Sequence, residues 1–243
     1  MFKCFQFSKK IRKPCFSLQN RLDKHGYFNG PNKICRLSSS YQNFFKFSEE
    51  VSQSLSNNKP IVALESTVIT HGLPYPENLK SVCQMEDIVR QGNATPAVIG
   101  VIQGNIHIGM NKSDVEELAS KNMNLVKISK RDLPFALSKH FSGGTTVAAT
   151  MALAYRAGIS VFATGGIGGV HRGAEITMDV SADLHELSRT PITVISAGVK
   201  SILDIGRTLE YLGVRPEEDV LCQSNIGQAC SLILPSSGAL LTL

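Results

Sequence analysis

Ile61-Val62-Ala63-Leu64-Glu65-Ser66-Thr67, followed after Pro76 by the run from Glu77 to Gln91, sets the grammar of this chain. The first four residues are apolar, include two β-branched ones, and are bounded by Pro60 and a carboxylate, which predicts a short buried strand. The second run repeats apolar residues at Leu79, Val82, Met85, Ile88 and Val89 and stops at Gly92-Asn93, which predicts an amphipathic helix. The alternation continues outward. Ala97 to Ile102, Val161 to Ala163 and Thr193 to Ser196 read as strands, and Thr145 to Ala157, Ser181 to Ser188 and Ser201 to Leu212 read as helices. Ser113 to Glu116 has capping-box spacing and opens another helix. Strands alternating with helices imply right-handed crossovers and a largely parallel sheet covered on both faces, an α/β class in which ligands gather at the carboxyl ends of the strands.

Charge is unevenly spread over the 243 residues. Ten Lys and Arg precede Glu49 against the single acid Asp23, so the remainder carries fifteen basic and nineteen acidic residues and the formal net charge of +5 belongs to the leader. An acidic body argues against a nucleic-acid-binding face. Residues 1–47, rich in Lys, Ser and Phe, have the composition of a mitochondrial transit peptide, with a cytoplasmic location as the other expectation. No run approaches a membrane span. The six cysteines form no C-x-x-C pair, which leaves a zinc site or a disulfide framework without support. Residues 48–214 are the expected domain, and 215–243 a divergent tail with no charged residue after Asp219.

Several residues fall where strand ends meet turns. Glu65 is either a satisfied structural acid or a proton carrier, because a carboxylate is costly to bury unless paired. Gly143-Gly144-Thr145-Thr146 before a helix suits a phosphate, or is an ordinary capped start. Gly165-Gly166-Ile167-Gly168-Gly169 lacks dinucleotide-loop register and reads as an active-site loop or as tight turns. Asp179 can cap a helix or ligate a hard divalent cation. Lys200, among small and apolar neighbours after the Thr193 strand, is a surface charge or a desolvated Schiff-base nucleophile.

Taken together, the strings are more specific than their parts. Ala63 to Thr67 with His71-Gly72, Ser129 to Pro134, Phe162 to Gly173, Asp179 to Leu184 and Ala197 to Asp204 resemble, in order, the signature segments of the pseudouridine-5′-phosphate glycosidase family. The resemblance runs from about Lys59 to Val214. It implies an α/β/α sandwich, a homotrimer, a Mn²⁺-type cation, and reversible conversion of pseudouridine 5′-phosphate and water into uracil and ribose 5-phosphate. It further implies Glu65 as proton donor, Lys200 as nucleophile and Asp179 as metal ligand. Lys127, Val147 and Ser181-Ala182-Asp183 become substrate contacts, with Lys127 and the Thr145-Thr146-Val147 helix start holding the phosphate.

A C–C glycosidic bond has no leaving oxygen to protonate, so the paired-carboxylate route of ordinary glycosidases does not suffice. An imine on Lys200 offers an electron sink instead. Family members continue well past Val214, so a C-terminally truncated member is expected, with apolar surface left in the tail. Two other function classes stay open: a non-catalytic remnant that binds a sugar phosphate or joins a full-length oligomer, and a different Schiff-base sugar-phosphate lyase.

Overall fold

A computed structural model describes residues 44–120, 124–213, 231–233 and 240–242. Apart from residues 44–47, the expected leader lies outside them. Phe45–Phe47, assigned to the leader by composition, instead form strand β1, paired in parallel with β4 (Asn105–Ile108). Phe45 is buried and stacks on Phe47, so the folded domain begins before residue 48. Backbone pairing of this kind leaves no trace in composition.

The sheet is organised around β3 (Thr95–Ile102), all eight of whose residues are buried. Its first half pairs in parallel with β2 (Ile61–Leu64), which pairs in parallel with β7 (Val161–Ala163), and β7 with β8 (Thr193–Ser196). Four adjacent parallel strands thus form the centre, as the alternation predicted. The flanks are antiparallel. The second half of β3 pairs with β4 on one side and, on the other, with β6 (Gly143–Thr145), which carries β5 (Val126–Ile128) in parallel. Beyond β8, β9 (Ser231–Ile233) adds antiparallel and β10 (Leu240–Thr242) follows, so part of the expected divergent tail belongs to the sheet.

Side chains alternate between two buried clusters, one on each face of the sheet. Ala63, Ala97, Ile99, Val101 and Phe162 pack on one side with α1 (Glu49–Ser56) and α5 (Val147–Arg156). Leu64, Val98, Ile102 and Ala163 pack on the other with α2 (Glu77–Gln91) and α3 (Lys112–Ala119). This is the α/β/α sandwich, held by apolar burial on both faces. Smaller helices complete it: α4 (Leu133–Ser138), α6 (Ala174–Thr177), α7 (Ala182–Leu187) and α8 (Ile205–Leu212).

Three boundaries differ from expectation. The capping box of α3 runs from Asn111 to Asp114, two residues before Ser113, because the Asn111 side chain reaches the Asp114 amide at 2.8 Å. Helix α8 begins after its cap Asp204, not at Ser201. Gly143–Thr145 is a strand, so α5 starts at Val147 after its cap Thr146. Gly144 is needed here: a Cβ would lie 2.4 Å from Thr70 Oγ1 and 2.6 Å from the Ser66 carbonyl. Among the described residues no helix is long and apolar enough to cross a membrane.

Candidate active site

β3 parts from β2 and takes up β6 beside the point where β2 ends. The chain runs from β2 to β3 on one side and from β7 to β8 on the other, so Glu65 after β2 and Thr164 after β7 stand where the strand order reverses, the switch point at which open α/β sheets place ligands. A cavity of about 580 Å³ opens there. Glu65, Lys127, Val147, Asp179, Ser181, Ala182, Asp183 and Lys200 all line it.

Glu65 is half-buried at the carboxyl end of β2. The register Leu64↔Ala163 makes Thr164 its neighbour one step beyond β7. Thr164 Oγ1 donates to Glu65 Oε1 and Thr67 Oγ1 to Oε2. Burial pushes the Glu65 carboxyl above its ordinary range; the two threonine hydroxyls and the Lys200 charge pull it down, and Asp183 pushes it up again. The net direction is upward. A carboxyl in that condition holds a proton more readily near neutrality, as a proton carrier must.

Lys200 lines the same cavity. Its amide donates to the Ile167 carbonyl at 3.1 Å, and Ile167 in turn donates to Gly198 at 3.0 Å, tying the segment after β8 to the glycine-rich segment after β7. The side chain is exposed in the single chain. This departs from the expected desolvation: Gly166, where a Cβ would lie 3.3 Å from Lys200 Cγ, carries no side chain to cover it.

Asp183 is buried, and both oxygens accept main-chain amides: Oδ1 from Ala148 and Oδ2 from Gly168, each at 2.9 Å. Its position as an expected ligand contact is thus on the cleft wall, but its bonds join the first turn of α5 to the glycine-rich segment. Gly168 permits this, because a Cβ there would stand 2.1 Å from Ser181 Oγ and 2.8 Å from Asp183 Oδ2. Ser181 caps α7 by accepting the Asp183 amide at 3.2 Å. Ala182 is exposed.

Asp179 precedes that cap by two residues, so capping α7 is not its role. Its carboxylate is exposed, 3.7 Å from His171 Nδ1, and its carbonyl accepts the His171 amide at 3.0 Å. Among the described residues no group of three or more His, Cys, Asp or Glu is placed to hold a metal. What Asp179 itself offers is one exposed carboxylate, the oxygen-donor chemistry that a hard divalent cation takes.

Lys127 projects from β5 in register with Gly144 and is exposed. Val147 is buried and its side chain belongs to the core, which leaves the main chain of the first turn of α5 as the part able to meet a ligand. Thr145 corrects the expected phosphate cradle. It is fully buried, its hydroxyl donating to the Ile99 carbonyl at 2.7 Å, and only Thr146 and Val147 of that start line the cavity.

Sequence reasoning gave no role to Thr67, Thr164, His71, Arg131 or His171, which also line the cavity. His71 sits on a π-helical turn, Val68–Gly72, with Thr70 Oγ1 2.7 Å from its Nδ1; such turns recur at functional sites. The wall carrying Ser129, Arg131 and Asp132 is anchored by Lys130, whose Nζ lies 2.6 Å from the buried carboxylate of Glu186 on α7.

Residues 50–218 match the family described as indigoidine synthase A like protein. The pseudouridine-5′-phosphate glycosidase of Clostridium botulinum is 53% identical over 171 residues, which cover 70% of this chain and 56% of the relative. Its Escherichia coli counterpart is 53% identical over 167 residues, covering 69% and 54%. A pseudouridine-metabolizing bifunctional protein of Schizosaccharomyces pombe is 56% identical over 181 residues, 74% of this chain and 24% of that one. Among solved structures, the prealnumycin C-glycosynthase AlnA in complex with ribulose 5-phosphate superposes with a TM-score of 0.65 at 42% identity, covering 70% and 55% of the two chains. An indigoidine synthase A-like protein of Thermotoga maritima gives 0.63 at 33% identity, covering 76% and 57%. The chain spans little more than half the length of the curated glycosidases it matches.

Proposed function

The chain belongs to the indigoidine synthase A-like family, and from that premise we propose that it cleaves pseudouridine 5′-phosphate reversibly to uracil and ribose 5-phosphate. The observation that carries the reading is the meeting of Glu65 and Lys200 in one cleft, near enough for the Lys200 charge to act on the Glu65 carboxyl. Relatives bearing the glycosidase name at 53% identity support it, as does the likeness to a C-glycosynthase solved with a sugar phosphate.

The chemistry is simplest in the bond-forming direction. Ring-opened ribose 5-phosphate condenses with the Lys200 amine, losing water to give an imine. A uracil carbon adds to the imine carbon, the C=N pair moves to nitrogen and the uracil carbon sheds its proton. The sugar O4′ hydroxyl then displaces the lysine nitrogen from C1′, closing the ring and freeing the amine. In cleavage the Lys200 amine displaces the ring oxygen at C1′, which takes a proton and opens the ring. The nitrogen pair then forms the imine, the C–C electrons go to the uracil carbon, which takes a proton, and water releases ribose 5-phosphate. Glu65 carries protons in ring opening and base departure. Lys127 and the start of α5 hold the phosphate, with Ser181, Ala182 and Asp183 shaping the wall beside the sugar.

Asp179 would hold a Mn²⁺-type cation, which when bound offsets negative charge near the phosphate. Exposed apolar side chains on segments bordering the cleft, Ile176, Met178, Ile202 and Ile205, support assembly of copies into a homotrimer, which light scattering tests. The basic leader directs mitochondrial import; a reporter carrying residues 1–43 that stays diffuse in the cytosol rejects this.

A second reading, sugar-phosphate binding without turnover, is favoured by the exposure of Lys200. Incubating purified protein with pseudouridine 5′-phosphate and Mn²⁺ separates the two. Uracil release supports the glycosidase, and ribose 5-phosphate binding with no release supports the binding-only reading.

A further inference from the structure

We propose that Thr67 and Thr164 are positioning residues for Glu65, holding its carboxyl in one orientation and reversing the direction of one hydrogen bond as its proton comes and goes. The proposal rests on the reading of Glu65 as the proton carrier.

The two hydroxyls reach the carboxylate from separate elements. Thr67 follows β2 two residues after Glu65, and Thr164 follows β7 on the neighbouring strand. One hydroxyl serves each oxygen, so the carboxylate plane is fixed by two points that do not share a backbone segment. Threonine suits this task because its branched Cβ restricts χ1, which holds the oxygen in place while the hydroxyl hydrogen can still rotate.

An ionised carboxylate only accepts, and both hydroxyls then donate. Once Glu65 gains a proton, that oxygen donates, and the threonine facing it turns its hydroxyl hydrogen away and accepts. No bond between heavy atoms is made or broken, and no group other than the proton moves. The carboxyl thus keeps its place in both states of a proton-transfer cycle. Valine in place of threonine keeps the branched shape and removes this reversible partner.

Other charges act on the same carboxyl. Lys200 after β8 and Asp183 on α7 oppose each other there. His71 on the π-helical turn, Lys127 on β5, Arg131 and Asp132 on the anchored wall, and His171 and Asp179 near the glycine-rich segment line the same cavity. None of these is altered by the threonine substitutions, so a change in Glu65 titration on substitution reads the hydroxyls.

The test is a titration of the 243-residue chain labelled with ¹³C at the glutamate carboxyls, with the Glu65 resonance identified by its loss in Glu65→Gln. Thr67→Val and Thr164→Val should each move the Glu65 midpoint to higher pH by at least about half a unit, because each removes a donor to the charged form. Thr67→Ser and Thr164→Ser should restore it. With pseudouridine 5′-phosphate, the corresponding limb of the kcat profile should move the same way, with KM changed less than kcat. Unmoved midpoints in both valine variants overturn the proposal, as does failure of serine to restore them. Should a valine variant not fold, the alanine variant is titrated against the serine one under the same criterion. The titration needs no turnover: a shifted midpoint without uracil release leaves the clamp standing and rejects the glycosidase reading, and the reverse result rejects only the clamp.

Discussion

The Ser66 hydroxyl accepts the Thr145 amide at 2.9 Å while the side chains of both residues donate to a single oxygen, the Ile99 carbonyl, at 2.6 and 2.7 Å. Thr145 Oγ1 also meets Thr150 Oγ1 at 2.9 Å, and Ser66, Thr145 and Thr150 are completely buried. This joint fixes the distance between Glu65, one residue before Ser66, and Thr146, one residue after Thr145. It holds Glu65, the proposed proton carrier, and the helix start that faces the cavity to a common strand.

Ser66→Ala should cost about 1–3 kcal/mol, because the Thr145 amide loses its side-chain acceptor in a site closed to water. Equilibrium denaturation checks this through a lowered midpoint with unchanged slope. A loss below about 0.5 kcal/mol would show that the joint relaxes onto other partners.

Glu65→Gln should be inactive yet gain relative stability as pH rises. With its carboxyl pushed up from the ordinary 4.5, the folded parent binds more protons than the unfolded chain above that pH, so its stability falls as pH climbs through the folded-state value. Glutamine cannot ionise and escapes that loss. Melting temperatures of the two proteins should therefore diverge in favour of glutamine from about pH 4.5 upward. Parallel curves would mean that Glu65 titrates normally.

Ribose 5-phosphate with borohydride should fix the sugar phosphate covalently on Lys200 and not on Lys127, read by peptide mass mapping. Lys200→Arg keeps the charge but cannot form an imine, so it should bind phosphate without an adduct and without turnover. An adduct mapped to another lysine would remove Lys200 from the mechanism.

Asp179→Ala should abolish Mn²⁺ stimulation while costing less than about 1 kcal/mol, since an exposed carboxylate 3.7 Å from a histidine adds little to stability. Equal stimulation of the variant by Mn²⁺ would move the ligand elsewhere.

The parts of this fold legible in the sequence are those in which local pattern and tertiary role agree. Ile61–Leu64, Val161–Ala163 and Thr193–Ser196 are short apolar runs bounded by breakers, and Glu77–Gln91 keeps one apolar face throughout. Gly143–Thr145 shows the opposite case. Two glycines have no strand preference of their own, and β6 exists because β3 and β5 supply hydrogen bonds on either side. The site followed the same rule. Glu65 and Lys200 stand out as ionisable residues just after apolar strands, whereas Thr164 meets Glu65 only through the register of β2 with β7, which no local pattern encodes. Thr145 misled for a related reason: a hydroxyl next to a glycine pair suggests a phosphate, and only packing shows that it turns inward to Ile99.

The two bonds to the Asp183 carboxylate come from amides 35 and 15 residues earlier in the chain. A peptide copied from either the α5 start or the glycine-rich segment would therefore lack the anchor that gives it shape, however faithfully its residues were kept. Transplanting this site into another scaffold means carrying three separate stretches of chain together, with the acidic residue as the piece that cannot be left behind.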